Sequence, residues 1–220
     1  MDCAYPRPQL ERPDWMLLNG TWRFLFDDDR QCKQPSDIRN WPLLIEVPFP
    51  PESKASGIGD PSFHRICWYE RDFDLKPDGQ RIILHFGAVD YVATVWVNGR
   101  EMTSHEGGHT PFWVDITAGL NASGHQTVTV MAEDDPLDLI KPRGKQDWKL
   151  EPHSTWYHRT TGIWQTVWLE RVARVLAKDS YQVVDGEANR RIILSDPGID
   201  DFRNEILWSP EHPTLLGVCP

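Results

Sequence analysis

The chain has 220 residues, of which 40% are hydrophobic and 25% charged, the composition of a folded globular protein. Its formal net charge of −10 opposes contact with a phosphate backbone, so we expect no nucleic-acid partner. No apolar run approaches the roughly 18 residues that a membrane helix needs, so we expect no membrane span. Residues 1–13 contain prolines and charges where a signal peptide has an apolar stretch, which favours the cytoplasm.

Turn-forming residues are frequent, with 18 prolines and 15 glycines scattered between short apolar runs. That distribution is typical of an all-β protein. The cysteines lie far apart and show no C-x-x-C spacing, which favours free thiols over a disulfide or zinc framework. We therefore predict neither a metal site nor a cofactor. The four cysteines are Cys3, Cys32, Cys67 and Cys219.

The first predicted strand, residues 19–26, opens with an Asn-Gly turn. It places Trp22, Phe24 and Phe26 on one face, the alternation expected of a strand with one buried side. The polar, irregular stretch 27–42 follows and is predicted to be a loop.

The clearest element is residues 89–97, whose side chains alternate over nine positions before Asn98-Gly99 supplies the positive φ angles of a type I′ hairpin turn. No stretch before residue 172 keeps a 3.6-residue apolar period long enough for a substantial helix. Short strands separated by turn signals predict a β-sandwich or jelly roll. Four further strands are predicted at 66–73, 81–86, 127–132 and 162–171.

Two motifs resemble catalytic signatures and lack the scaffold that each requires. The run from His105 to His109 reads HEGGH, a zinc-protease string, but its two glycines disfavour the helix that would bring both imidazoles to one ion. We predict a loop between strands there. Asn204-Glu205 resembles the acid/base position of a retaining glycosidase, yet hydrolysis needs a second carboxylate held by a barrel that this chain has no room for. We predict no catalytic residue.

Two polar segments are candidate ligand sites. Asp134, Asp135 and Asp138 precede several lysines and arginines; Asp135 could hold a sugar hydroxyl, while ion pairing with the nearby bases is the competing interpretation. The segment 156–165 places aromatic rings and hydrogen-bond donors just before a strand, where binding residues concentrate. The candidate carbohydrate contacts are Trp156, Tyr157, Arg159 and Asp135.

Tryptophan is unusually frequent, with eleven in the chain. Indole rings stack on the C–H faces of pyranose sugars, which favours a carbohydrate ligand. Aromatic rings also fill the interior of β-sandwiches, so for any single tryptophan a place in the core is the alternative.

In order and spacing, these segments resemble the N-terminal domain of family 2 glycoside hydrolases, the group of β-galactosidases, β-glucuronidases and β-mannosidases. The resemblance covers residues 14–171 and implies a galactose-binding-like jelly roll that flanks the active site of a larger enzyme. The matching stretches are 20–24, 87–99, 105–112, 115–117 and 161–170.

The resemblance also implies a domain division: an extension at 1–13, the jelly roll at 14–171, and a short, incomplete immunoglobulin-like segment at 172–220. The family's catalytic glutamates lie on a later barrel, so none is transferred to this chain. Many members have a substrate-contacting aspartate six residues before the glycine of a Gly-Ile-Trp/Phe motif. Trp156 occupies that position here, so sugar specificity cannot be transferred either.

Three functions follow as alternatives. The first is a carbohydrate-recognition domain that binds a β-glycoside and is inactive alone. The second is a subunit of a split β-glycosidase, active only with a separate barrel chain. The third is a structural or interaction module without sugar affinity.

Overall fold

A computed structural model describes residues 5–7 and 12–172, which lie in one compact unit ending at Val172. The regular structure of this part is all-β, and its helical segments are single 3-10 turns, none long or apolar enough to cross a membrane. The strands are β1 (Trp15–Leu17), β2 (Gly20–Phe26), β3 (Leu43–Val47), β4 (Ile66–Asp74), β5 (Arg81–Phe86), β6 (Val89–Asp90), β7 (Val92–Val97), β8 (Arg100–Glu106), β9 (Phe112–Asp115), β10 (His125–Glu133), β11 (Gly162–Ile163) and β12 (Val167–Val172).

The strands form two large antiparallel sheets and one small one. The six-stranded sheet has the order β3-β2-β4-β10-β7-β8, and the four-stranded sheet has the order β1-β12-β5-β9. A two-stranded sheet pairs β11 with β6. The predicted all-β sandwich is confirmed. The predicted segment from residue 173 onward, including Asn204-Glu205, lies outside the described residues, and the domain boundaries stay predictions.

One hydrophobic core contains side chains from both large sheets, and strand alternation decides which side chains enter it. In β7, Ala93, Val95 and Val97 are fully buried in this core, whereas Trp96 belongs to a second cluster with Trp68. That second cluster also includes residues of the predicted loop 27–42. The hairpin turn after β7 has the predicted geometry, since Asn98 and Gly99 both have positive φ.

Two predicted strands are interrupted, because each changes its pairing partner. In the stretch 89–97, β6 pairs with β11, while β7 pairs with β10 and β8. The stretch 162–171 divides into β11 and β12 at Trp164. Gly162 has a φ of +76°, and a Cβ there would lie 2.0 Å from the Tyr69 hydroxyl oxygen, so only glycine fits.

A buried carboxylate on β12 attaches the N-terminal segment to the four-stranded sheet. The Glu170 side chain is fully buried and accepts hydrogen bonds from the Tyr5 hydroxyl, from Arg7 Nη2 at 2.9 Å and from Arg12 Nε at 2.8 Å. The indole of Trp168 donates to it at 2.9 Å. The chain before β1 is therefore held by one ionised group.

Burial and the bonding partners of Glu170 shift its pKa in opposite directions. Burial raises the pKa, but contacts with His85, Tyr5 and Trp168 outweigh burial and hold it far below its usual range. The His85 Nε2 lies 3.3 Å from Glu170 Oε2, within ion-pair distance but without hydrogen-bond geometry. Burial lowers the pKa of His85, and the neighbouring Glu170 opposes that change.

We expect Glu170→Gln to lower the free energy of unfolding by about 3 kcal/mol at pH 7, since it leaves buried donors without their anion. A depressed folded pKa gives a contribution that is complete above the unfolded value of about 4.3 and is lost as pH falls below it. Urea unfolding at pH 7 and pH 3 measures both effects. The exposed Glu101→Gln on β8 is the control, and an equal loss in the two variants contradicts this role.

Candidate functional site

The connection between β10 and β11, residues 134–161, includes all four carbohydrate contacts predicted from the sequence; we refer to it as the β10–β11 loop. Its first part is held by ionic and backbone contacts. The ammonium of Lys141 lies 2.6 Å from the buried carboxylate of Asp134 and also sits over the Tyr91 ring. Arg143 donates to three carbonyl oxygens of the same segment. The loop therefore has a defined conformation, to which an isolated parallel β-bridge between Gln146 and Tyr157 also contributes.

The middle of the loop is joined to the sandwich through Gln146. Its Nε2 donates to Asp90 Oδ2 at 2.7 Å, and its Oε1 accepts from the backbone N–H of Thr160 at 2.8 Å. Asp90 ends β6 and is buried. One amide side chain therefore connects the sandwich, the middle of the loop and its last residues.

Asp90 is a buried acid whose surroundings raise its pKa. Burial raises its pKa to about 6, and the neighbouring charge of Asp134 adds to the rise, while Gln146, His109 and Lys141 oppose it. Gly108 packs directly against the carboxylate: a Cβ at that position would lie 2.3 Å from Asp90 Oδ1.

Arg159 is an internal anchor of the loop. It is 6% exposed, with its Nε 3.6 Å from Glu52 and its Nη2 donating to the Ser62 carbonyl at 2.7 Å. Its guanidinium also lies over the Phe63 ring at 4.3 Å. Glu52 in turn accepts a 2.7 Å hydrogen bond from the Thr161 hydroxyl. With these contacts Arg159 supports the site from inside, and its predicted sugar contact stays a prediction.

Asp135 makes local contacts, including the ion pairing that the sequence offered as the alternative to a sugar contact. Its Oδ1 accepts the backbone N–H of Leu137 at 2.9 Å, and its Oδ2 lies 3.4 Å from the Arg65 guanidinium. The side chain keeps partial exposure, so it stays a candidate for ligand contact at the edge of the loop.

Trp156 and Tyr157 are solvent-exposed, at 37% and 64%. A third exposed ring lies beside Trp156. Trp148 is 47% exposed, and its centroid lies 5.7 Å from that of Trp156 in an edge-to-face arrangement. Trp148 also packs against His153, whose Nδ1 lies 2.5 Å from the buried carboxylate of Asp147. We refer to Trp148, Trp156 and Tyr157 as the aromatic platform.

The HEGGH run is a strand end followed by a turn, so its assignment as a loop was only partly right. His105 and Glu106 belong to β8, and the loop begins at Gly107. His105 stacks on Phe112, whereas His109 lies edge-to-face with Trp164. The strand geometry lacks the helical i, i+4 spacing that the zinc-protease signature requires. Among the described residues, no cluster of metal-ligating side chains is present.

Comparison with known proteins identifies the fold. Residues 63–165 match the family model described as the glycosyl hydrolase 2 galactose-binding-like domain. This segment belongs to that family. The matched range includes the whole β10–β11 loop, so the candidate site lies within the segment that resembles the family's domain.

The relatives are larger glycosidases. The chain is 36% identical over 131 residues to a β-glucuronidase of Canis lupus familiaris, covering 51% of this chain and 19% of that protein. It is 31% identical over 178 residues to a β-galactosidase of Thermoanaerobacter pseudethanolicus, covering 78% and 22%. The chain thus spans about a fifth of the length of these relatives.

Solved structures show the same fold. A crystal structure of a Ruminococcus gnavus β-glucuronidase in complex with uronic isofagomine superposes with a TM-score of 0.57 at 23% identity. The match covers 74% of this chain and 29% of that one. The resemblance to a family 2 N-terminal domain is therefore confirmed.

Three residues of the site escaped the sequence analysis. Trp148 was overlooked because it stands outside the 156–165 segment, although its place in the same loop was a usable signal. Asp90 lies in the stretch 89–97 that is predicted as one regular strand, and nothing in the alternation marks its carboxylate as buried. Gln146 carries no sequence signal of its contacts.

We expect Asp90→Asn to stabilise the domain at high pH, because asparagine keeps an acceptor for Gln146 and removes a buried charge. A folded pKa near 6 lies above the unfolded value of about 3.9, so ionisation costs nothing below about pH 4 and its full penalty, about 2–3 kcal/mol, above about pH 7. Urea unfolding should show the variant gaining on the wild type between pH 4 and pH 8. The exposed Asp74→Asn is the control; an unchanged difference across that range contradicts the raised pKa.

Proposed function

We propose that this chain is a carbohydrate-recognition domain of a family 2 glycoside hydrolase, and that it is inactive without a catalytic barrel. The observation that supports this most directly is the aromatic platform, three solvent-facing rings on a loop that is fixed from beneath. Family membership of residues 63–165 supports the glycosidase context.

An exposed aromatic surface of this kind suits a pyranose ring. The C–H face of a sugar stacks on an indole, and the surrounding hydroxyls need donors and acceptors at the rim. Asp135 and the polar backbone of the β10–β11 loop supply such groups. An open, solvent-exposed group of rings excludes little water, so we expect weak binding, with a dissociation constant around 1 mM or about −4 kcal/mol.

We expect the isolated chain to be inactive because its buried acids are already engaged in contacts within the fold. Glycoside hydrolysis needs two carboxyl groups about 5–9 Å apart on either side of the bond that breaks. In the described part of the chain, all buried carboxylates have internal partners: Asp27, Asp90, Asp134, Asp147 and Glu170 each bond to neighbouring side chains or backbone N–H groups. Each of these carboxylates is therefore engaged in contacts within the fold.

A barrel partner is part of the same proposal. Leu137, Leu139 and Ile140 of the β10–β11 loop are 86%, 72% and 94% exposed, and we call them the aliphatic patch. Contiguous exposed apolar side chains favour an interface with another protein surface. The relatives' greater length supports a barrel as that surface, in the same polypeptide or in a separate chain. We keep the cytoplasm as the proposed location, and a membrane association is not part of the proposal.

Calorimetric or NMR titration of the chain with monosaccharides and methyl β-glycosides tests recognition. We expect at least one β-glycoside to bind near millimolar, and Trp148→Ala and Trp156→Ala each to weaken it by about tenfold, since one stacked ring contributes about 1–1.5 kcal/mol.

Leu44→Ala, which removes an exposed apolar side chain from β3, is the matched control and should leave binding unchanged. If no sugar in the panel binds, the chain is a structural module. If the tryptophan variants bind as the wild type does, the platform is not the site.

Purified chain should not hydrolyse any nitrophenyl glycoside above the buffer blank, for lack of a free pair of acids. Turnover by homogeneous protein would refute inactivity. Turnover that appears only after a separately purified family 2 barrel is added identifies the split-enzyme alternative. In that case Ile140→Asp should abolish the gain by placing a charge in the aliphatic patch.

A further inference from the structure

A second concave site lies beside the β10–β11 loop, at the junction of the N-terminal segment with β12. It encloses about 500 Å³ and is lined by ten residues, among them Arg7, His109, Trp164, Gln165 and Trp168. Ligand pockets for small molecules have volumes of about 300–1,000 Å³, so a single hexose fits. We refer to it as the Arg7 cavity.

The walls of the Arg7 cavity include two indole rings that the fold holds in place. The Trp164 Nε1 donates to the Gly108 carbonyl at 2.8 Å, and its ring meets His109 edge-to-face. Trp168 stacks on His85 with centroids 4.7 Å apart and donates to Glu170. Rings fixed in this way can contact a sugar without further loss of side-chain freedom.

The charge next to the cavity is positive. Arg7 and His109 are the only ionisable residues among the ten that line it, although the whole chain has a formal net charge of −10. Glu170 pairs with Arg7 from behind but contacts Arg12 as well, so one carboxylate faces two guanidinium groups. The Arg7 guanidinium lies 5.8 Å from the Trp168 ring centroid. A cavity without carboxylates in an acidic protein favours an anion over a neutral ligand.

Arg7 also has donor capacity beyond its ion pair. Its Nη2 is engaged by Glu170 at 2.9 Å, but its Nε has no hydrogen-bond partner among the described residues. This nitrogen is itself shielded, but the Arg7 side chain as a whole is 32% exposed and lines the cavity, so a ligand there can contact the guanidinium.

From the cavity's size, its indole walls and its basic lining, we propose that it binds an anionic hexose, a sugar with a carboxylate or phosphate group. The sugar ring lies against Trp164, and the anionic group faces Arg7. Gln165 and Thr166 line the same space and offer hydrogen bonds to ring hydroxyls. This site goes beyond the proposed function, because it uses no residue of the aromatic platform.

The test titrates the full chain with D-glucuronate, D-glucose 6-phosphate, D-glucose and acetate, observed through the indole N–H resonances and by calorimetry. We expect the two anionic sugars to bind at least tenfold more tightly than glucose or acetate. Arg7→Met should weaken that binding by about tenfold, the value of one charge-assisted hydrogen bond. The preferred anion of the two identifies the group that the cavity takes.

Arg7 also pairs with Glu170, so Arg7→Met affects folding as well as the cavity. A second variant therefore tests the cavity without removing that ion pair. Gln165→Glu introduces a like charge into the cavity and should weaken anionic sugars by a similar factor while leaving glucose unaffected. Arg23→Met and the exposed Gln80→Glu, both remote from the cavity, are the matched controls. Equal binding of glucose and glucuronate, or wild-type affinity in both cavity variants, overturns the proposal.

The outcome is separable from that of the proposed function. Trp148→Ala and Trp156→Ala should leave the anionic sugars at wild-type affinity in the Arg7 cavity. If those variants abolish all sugar binding while Arg7→Met and Gln165→Glu change nothing, the Arg7 cavity is refuted and the platform stands. If only Arg7→Met and Gln165→Glu weaken sugar binding, the platform is refuted as a sugar site and the Arg7 cavity stands.

Discussion

The hydrogen bond between Gln146 and Asp90 is the interaction on which the candidate site depends. Asp90 is buried and, with its pKa near 6, ionised at neutral pH at a cost that its surroundings only partly offset. Gln146 supplies the donor that makes this burial tolerable, and its carbonyl oxygen fixes the end of the loop at Thr160. The β10–β11 loop therefore holds its aromatic rings in place through polar contacts and one isolated β-bridge between Gln146 and Tyr157, because it has no core of its own.

The contacts at the two ends of the loop explain why its apolar side chains point outward. Asp134 and Lys141 fix its beginning, and Arg159 with Glu52 fixes its end, so the inward positions are occupied by paired charges. Leucines and tryptophans in such a segment have no interior to enter and remain in solvent. This arrangement is costly in an isolated domain, and it is explained by surfaces that serve a ligand or a partner.

The sequence predicted the sandwich better than the site, for a physical reason. Period-two alternation reports which side of a strand is buried, and it located Trp22, Phe24 and the face of β7 correctly. It says nothing about a strand that changes partner, so the interruption at Asp90 and the burial of its carboxylate could not be seen. The burial of Arg159 could not be seen either, since its contacts with Glu52 and Ser62 join residues about a hundred positions apart.

The aromatic platform and the aliphatic patch occupy one loop, and this arrangement links recognition to assembly. A sugar on an open platform loses water from one face only, which limits its affinity. A barrel that covered the aliphatic patch would add a second wall beside the platform, so the same rings would line a pocket. Sugar binding and partner docking would then reinforce each other, because a sugar between the two walls would contact both. Under the proposed function, the domain would supply a preformed wall and a barrel partner the carboxylates for hydrolysis.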